Sequence, residues 1–114
     1  MHEVTLMSGI LDTLRENARQ NGITRISRIK LIVGKFSMAL PSSLRFAFAA
    51  LAQEGLFQEA WLDIEERELH CLCQDCQREF GPQSSYCFVC PDCNGQHIKI
   101  LAGREMLIDF YEGD

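Results

Sequence analysis

Cys71-Leu72-Cys73-Gln74-Asp75-Cys76 and Cys87-Phe88-Val89-Cys90-Pro91-Asp92-Cys93 together hold all six cysteines of the chain, within 23 consecutive residues. The chain start shows no secretory pattern of positive charge followed by an apolar run, so a reducing cytosol is the expected compartment, where disulfides are rare. Clustered cysteines then read as metal ligands. Thirteen residues separate Cys76 from Cys90, which makes Cys73/Cys76 and Cys90/Cys93 a two-knuckle pattern. Two thiolates spaced in this way meet one ion from one tight turn, and two such turns complete a tetrahedral S4 shell at about 2.3 Å per bond. A shell of four thiolates leaves no open position. The implied zinc is therefore structural, and its binding is part of the folding free energy.

Cys87/Cys90 is an overlapping pair at the same spacing. Pro91, and Gly95 with Asn94, suit a tight turn better than Phe88 and Val89 do, so Cys90/Cys93 is preferred. Cys71 and Cys87 read as buried small hydrophobes, with exchange into the shell as the other reading. His70 and His97 flank the cluster and read as solvated histidines more than as replacement ligands.

Outward from this stretch the composition changes. Residues 70–97 are poor in aliphatic side chains and cannot bury enough apolar surface to order themselves without a staple. Residues 1–69 read as an α/β unit. Val4, Met7, Leu11, Leu14 and Ala18 recur at helical spacing with Ile10 beside them, and Asn21-Gly22 supplies the stop. A strand is expected over 24–34, with Ile29, Leu31 and Val33 on one face and Arg28, Lys30 and Ile32 on the other. Ser42 or Ser43 can cap a second helix running to Gln53 or Glu54, with Leu44, Ala47, Phe48 and Leu51 as its stripe and Gly55 as its stop. A second strand follows over 60–68. Met106, Ile108 and Phe110 alternate in a last strand, which is expected to return to the first sheet. The division is thus 1–69 with 98–114 as one domain and 70–97 as another.

With 114 residues, 46% hydrophobic and 24% charged, the chain reads as one folded domain with an appendage. Its apolar runs are far shorter than the roughly 20 residues that span a membrane. The net charge of −5, with Asp75, Glu79 and Asp92 against Arg78 alone in the cysteine module, argues against a nucleic-acid partner. No nucleophile–base pair or phosphate-binding glycine loop is present, so no catalytic residue and no enzyme activity is expected.

The other chemically specific feature is Met1-His2-Glu3. With Met1 retained, the α-amine, the deprotonated His2 amide and the His2 imidazole can form fused chelate rings around one ion. An all-nitrogen, near-planar set of this kind suits Ni(II) or Cu(II). Glu3 can add a carboxylate or orient the imidazole.

These residues, with Gly34-Lys35-Phe36-Ser37 and Ser43-Leu44-Arg45-Phe46-Ala47-Phe48, closely resemble the HypA/HybF family of nickel-insertion accessory proteins for [NiFe]-hydrogenase maturation. The resemblance covers essentially the whole chain. It implies an α+β fold: a small three-stranded sheet packed by two helices, with a protruding four-cysteine zinc-ribbon-like domain inserted before the last strand. It implies nickel as transient cargo on His2, with Glu3 and the nitrogens of Met1 contributing, and structural zinc on Cys73, Cys76, Cys90 and Cys93. The implied partners are a maturation GTPase and the hydrogenase large-subunit precursor; a urease accessory protein is a further one, since some relatives serve urease. Neither nucleic acid nor membrane is implied. The chain departs from many relatives in carrying Leu40 near the place of an acidic residue, and Lys35 where Glu is frequent; Leu40 cannot complete a nickel shell. The alternative function is a zinc-ribbon interaction module with no specific nickel site.

Overall fold

The structure, a computed structural model, describes residues 3–37, 39–53, 55–81 and 89–114. Met1, His2, Glu54 and Cys87 lie outside the described residues. The chain runs α1 (Glu3–Gln20), β1 (Ile26–Gly34), a 3₁₀ turn (Lys35–Ser37), α2 (Pro41–Leu51), a second 3₁₀ turn (Gly55–Phe57), β2 (Trp61–Arg67), β3 (His70–Cys73), β4 (Glu79–Phe80), β5 (Ile98–Ala102) and β6 (Met106–Gly113). It is elongated, 54 × 25 × 18 Å.

The first sheet has the order β2-β1-β6, with β1 parallel to β2 and antiparallel to β6. A parallel pair needs a crossover, and α2 lies within it. Met7, Leu11, Leu14 and Ala18 of α1 and Leu44 and Ala47 of α2 pack with Ile29, Leu31, Val33 and Leu62 of the sheet into one core. That is the two-layer arrangement which amphipathic helices and a one-sided sheet require. The helix-spaced stripe of α1 is thus buried, except that Val4, in the first turn, is 52% exposed.

Three details of the first unit differ from the sequence expectation. The N-cap of α2 is Leu40, with no side-chain cap, and neither Ser42 nor Ser43 caps it. Pro41 decides this, because its fixed φ suits the first helical position, where no N–H is needed. Leu51 ends the helix and is 38% exposed, not part of the buried stripe. Gly55, at φ +66°, opens a 3₁₀ turn that delivers Phe57 into the core, under the Arg15 guanidinium. On β6, Met106 and Ile108 pack against the core but Phe110 does not. The pairing jumps from Leu31↔Ile108 to Lys30↔Phe110, so a bulge at Asp109 reverses the faces and brings Tyr111 to the core instead.

The second sheet has the order β4-β3-β5. Strand β5 pairs with β3, His70 opposite Ala102 and Cys73 opposite Ile98. Residues 98–102 therefore belong by pairing to the cysteine-bearing sheet, and only β6 returns to the first one.

The two sheets meet at two glycines. A Cβ on Gly34 would lie 2.1 Å from the Gly103 carbonyl oxygen, and one on Gly103, at φ +107°, would lie 2.6 Å from Leu69 Cα. The Gly34 N–H donates to the Glu105 carbonyl at 2.6 Å and the Phe36 N–H to the Gly103 carbonyl at 2.7 Å. Lys35 and Glu68 form an ion pair across the same seam.

The bare N-cap gives a direct expectation. Leu40→Asp should stabilise the protein by about 1 kcal/mol, because a carboxylate at the N-cap accepts an orphan helix N–H and meets the positive end of the dipole. Chemical denaturation should show the gain; a variant no more stable than the parent would rule out an unfilled cap.

Candidate metal centre

The four sulfurs of Cys73, Cys76, Cys90 and Cys93 all lie within 4.8 Å of one another. Cys73 Sγ is 3.6 Å from Cys93 Sγ, and Cys76 Sγ is 3.5 Å from Cys90 Sγ. Four sulfurs at about 2.3 Å from a tetrahedral centre stand about 3.8 Å apart. The cluster therefore fits a structural zinc site.

Matching backbone turns place the two pairs. The Gln77 N–H donates to the Cys73 carbonyl and the Asn94 N–H to the Cys90 carbonyl. The Cys73 N–H donates to the Arg78 carbonyl and the Cys90 N–H to the Gly95 carbonyl. In each turn the residue after the second cysteine takes positive φ, 65° at Gln77 and 58° at Asn94. Asn94, and not Gly95, thus adopts the left-handed conformation. Gly95 leaves room there: a Cβ would lie 2.5 Å from an Asp75 carboxylate oxygen, which can swing away, and 3.1 Å from Cys93 Sγ.

The thiols also bear on one another electrostatically. The N–H groups of Cys93 and Asp92 hold the Cys90 thiol down at about 7. For Cys76 the Arg78 N–H favours the thiolate, but Cys90, burial, Cys73 and Cys93 outweigh it and push the thiol up to about 12. Four crowded sulfurs cannot all ionise alone. A divalent cation removes that conflict and releases protons as it binds.

Cys71 is buried outside this group, and burial pushes its thiol up, as a packed small side chain requires. His70 Nε2 lies 2.8 Å from a Glu79 carboxylate oxygen and His97 Nδ1 lies 3.0 Å from one of Asp75. Each is partnered by an acid, and neither belongs to the four-sulfur group.

At the other end, Glu3 opens α1 and is half-buried. With Val4, Ser42, Ser43 and Phe46 it lines an open cavity of about 270 Å³ between the starts of the two helices. Lys35 is committed to Glu68, and Leu40 has no donor atom in its side chain, so neither offers a metal donor. Phe46, 74% exposed beside this cavity, is a feature the sequence reading missed; the stripe marked only the core side of α2. No helix among the described residues is long and apolar enough to cross a membrane.

A family model described as "Hydrogenase/urease nickel incorporation, metallochaperone, hypA" matches residues 1–113. A hydrogenase maturation factor HypA of Moorella thermoacetica is 40% identical over 114 residues, covering 100% of both chains. Another, of Pelodictyon phaeoclathratiforme, is 43% identical over 108 residues, covering 95% of this chain and 92% of that one. The solution structure of the nickel metallochaperone HypA from Helicobacter pylori superposes with a TM-score of 0.70 at 29% identity, covering 99% of this chain and 97% of that chain. By sequence, by fold and by its four-sulfur cluster, the chain belongs to the HypA family of nickel-incorporation metallochaperones.

Proposed function

We propose that this chain is a nickel metallochaperone of hydrogenase maturation that carries Ni(II) at Met1-His2-Glu3 and holds structural zinc on Cys73, Cys76, Cys90 and Cys93. What supports this most is that the family match runs from residue 1 through 113, and so takes in both the chelating tripeptide and the four-sulfur cluster. A filled tetrahedral thiolate shell has no vacancy for cargo, which leaves the nitrogen-rich terminus to carry it. Division of labour follows the fold: the α/β unit, 1–69 with β6, handles nickel, and the cysteine unit handles zinc.

The position of the tripeptide suits a carrier. It adjoins the first turn of α1. A helix amino terminus carries a partial positive charge, which disfavours a dication there and keeps affinity moderate. Moderate affinity permits hand-over. The partners are a maturation GTPase, the hydrogenase large-subunit precursor and, where urease is served, a urease accessory protein, all in the cytoplasm. The chain performs no catalysis of its own; nucleotide chemistry belongs to the GTPase.

His2→Ala, or one residue added ahead of Met1, should abolish nickel binding while leaving one zinc and the helical circular dichroism unchanged. Unaltered nickel titrations in both variants would instead favour a zinc-ribbon interaction module. The pH dependence has a defined sign. An imidazole with an ordinary pKa of about 6.5 and an α-amine of about 8 ligate only when neutral, and the amide gives up its proton on binding, so nickel affinity falls continuously as the pH drops from about 8 and most steeply once the imidazole also protonates. Isothermal titration from pH 8 to 5.5 measures this.

A further inference from the structure

Knuckle two has little structure of its own. Residues 89–97 contain no helix or strand, so its place against knuckle one depends on a few cross-links and on the shared ion. Among the described residues, two links besides the sulfurs cross between them. The His97 carbonyl accepts from the Gln74 N–H at 2.8 Å, and its ring meets Asp75. The other is an ion pair between Arg78 Nη1 and Asp92 Oδ1.

That ion pair is anchored at both ends to the cluster. The Arg78 carbonyl accepts the Cys73 N–H, which fixes the Arg78 backbone to the first turn. The Asp92 N–H reaches Cys90 Sγ at 3.4 Å, which fixes the Asp92 backbone to the second. Arg78 is the only Lys or Arg between residues 70 and 97. Among the described residues Asp92 is ion-paired with Arg78 and with no other cation.

We propose that Arg78 and Asp92 form a cross-knuckle latch that sets how slowly the four-cysteine unit gives up its ion; this rests on the reading that Cys73, Cys76, Cys90 and Cys93 hold zinc. For zinc to leave, the two knuckles must separate, because each supplies two of the four sulfurs. Closure by the latch opposes that separation without touching the metal. Both residues are positioning residues and neither is a ligand.

A purely electrostatic role predicts a different pattern. If Arg78 acted only as a cation near the thiolates, Asp92→Asn would leave its field less compensated and would not loosen the unit in the way Arg78→Met does. A latch requires that either single change have the same sign and size.

The experiment uses the full chain loaded with one zinc. Release to excess 4-(2-pyridylazo)resorcinol is followed by absorbance for wild type, Arg78→Met, Asp92→Asn, the double variant and the charge swap Arg78→Asp/Asp92→Arg. Each single variant should release zinc about two- to fivefold faster, the size of an exposed ion pair. The double variant should be no faster than either single one, since the pair is broken once. The swap should recover much of the wild-type rate, and the thermal transition of the α/β unit should not move. Additive effects, opposite signs for the two single variants, or rates equal to wild type would overturn the latch. Wild-type protein carrying no zinc on its thiols would overturn the reading beneath it. If Arg78→Met fails to retain zinc through purification, Arg78→Lys, which keeps the charge but loses the guanidinium fork, should show an intermediate rate.

Discussion

Cys73→Ser is expected to leave residues 70–102 without stable structure while the α/β unit keeps its helices. Among the described residues from 70 to 102, only Cys71, Cys73 and Cys90 are buried. Ile98, Ile100 and Phe80 are only half-buried, and β4 is two residues long. Among the described residues of this module no hydrophobic core is present to replace the ion. Structural zinc in small modules supplies apparent free energies of about 10–16 kcal/mol, comparable to or larger than the stability of an entire ordinary domain. Loss of one thiolate therefore removes more than the module's hydrogen bonds can restore. Amide exchange should show protection lost in β3 and β5 but retained in α1 and β1. Treatment of the parent with a strong chelator should give the same map. Protected amides in β3 and β5 of the metal-free protein would show that the sheet stands without its staple.

Gly34→Ala is expected to be the most damaging single-methyl addition in the chain, and Gly103→Ala a close second. At Gly34 the new carbon meets the carbonyl of Gly103, and that carbonyl is backbone that already accepts from Phe36. Gly103 is itself closely packed, since a Cβ there would meet the Leu69 backbone. At Gly103 the methyl faces Leu69 backbone and also forces an L side chain into φ +107°. Overpacking and strain of this kind each cost about 1–3 kcal/mol. A combined loss of about 3 kcal/mol or more should appear in the urea midpoint. Gly9→Ala is the control: it lies within α1, nothing stands within 4 Å of the added carbon, and it should stabilise by about 1 kcal/mol. Equal midpoints for Gly34→Ala and wild type would mean that the two sheets are not in backbone contact.

The cysteine spacing carried the four-sulfur cluster, because ligand geometry is local: two turns of five residues, each closed by its own hydrogen bonds. The helix stripes and the central strand were legible for the same reason. What escaped depended on contacts remote in sequence. The side on which β5 pairs is decided by β3, some 27 residues earlier. The bulge that turns Phe110 outward is set by where β1 and β6 slip past each other. Phe57 gave no periodic signal, since a 3₁₀ turn of three residues has none to give. Pro41 was legible in principle, and its preference for the first helical position outweighed the serines that follow it. At the amino terminus the proposed chelation rests on residue types alone, whereas the cavity lined by Glu3 and Phe46 exists only once α1 and α2 are side by side.

The order of strands in the first sheet has a bearing on biosynthesis. Strand β1 is central, but its antiparallel neighbour β6 comes latest in sequence of all the elements. A nascent chain emerging from the ribosome can assemble the helices, β1 and β2, yet one margin of β1 stays bare until residues 106–113 arrive. An open margin of that kind, bearing Leu31, Ile32 and Val33, is a template for mispairing with another copy. Premature termination before Met106 should thus yield insoluble product, not a soluble fragment with a loosened end.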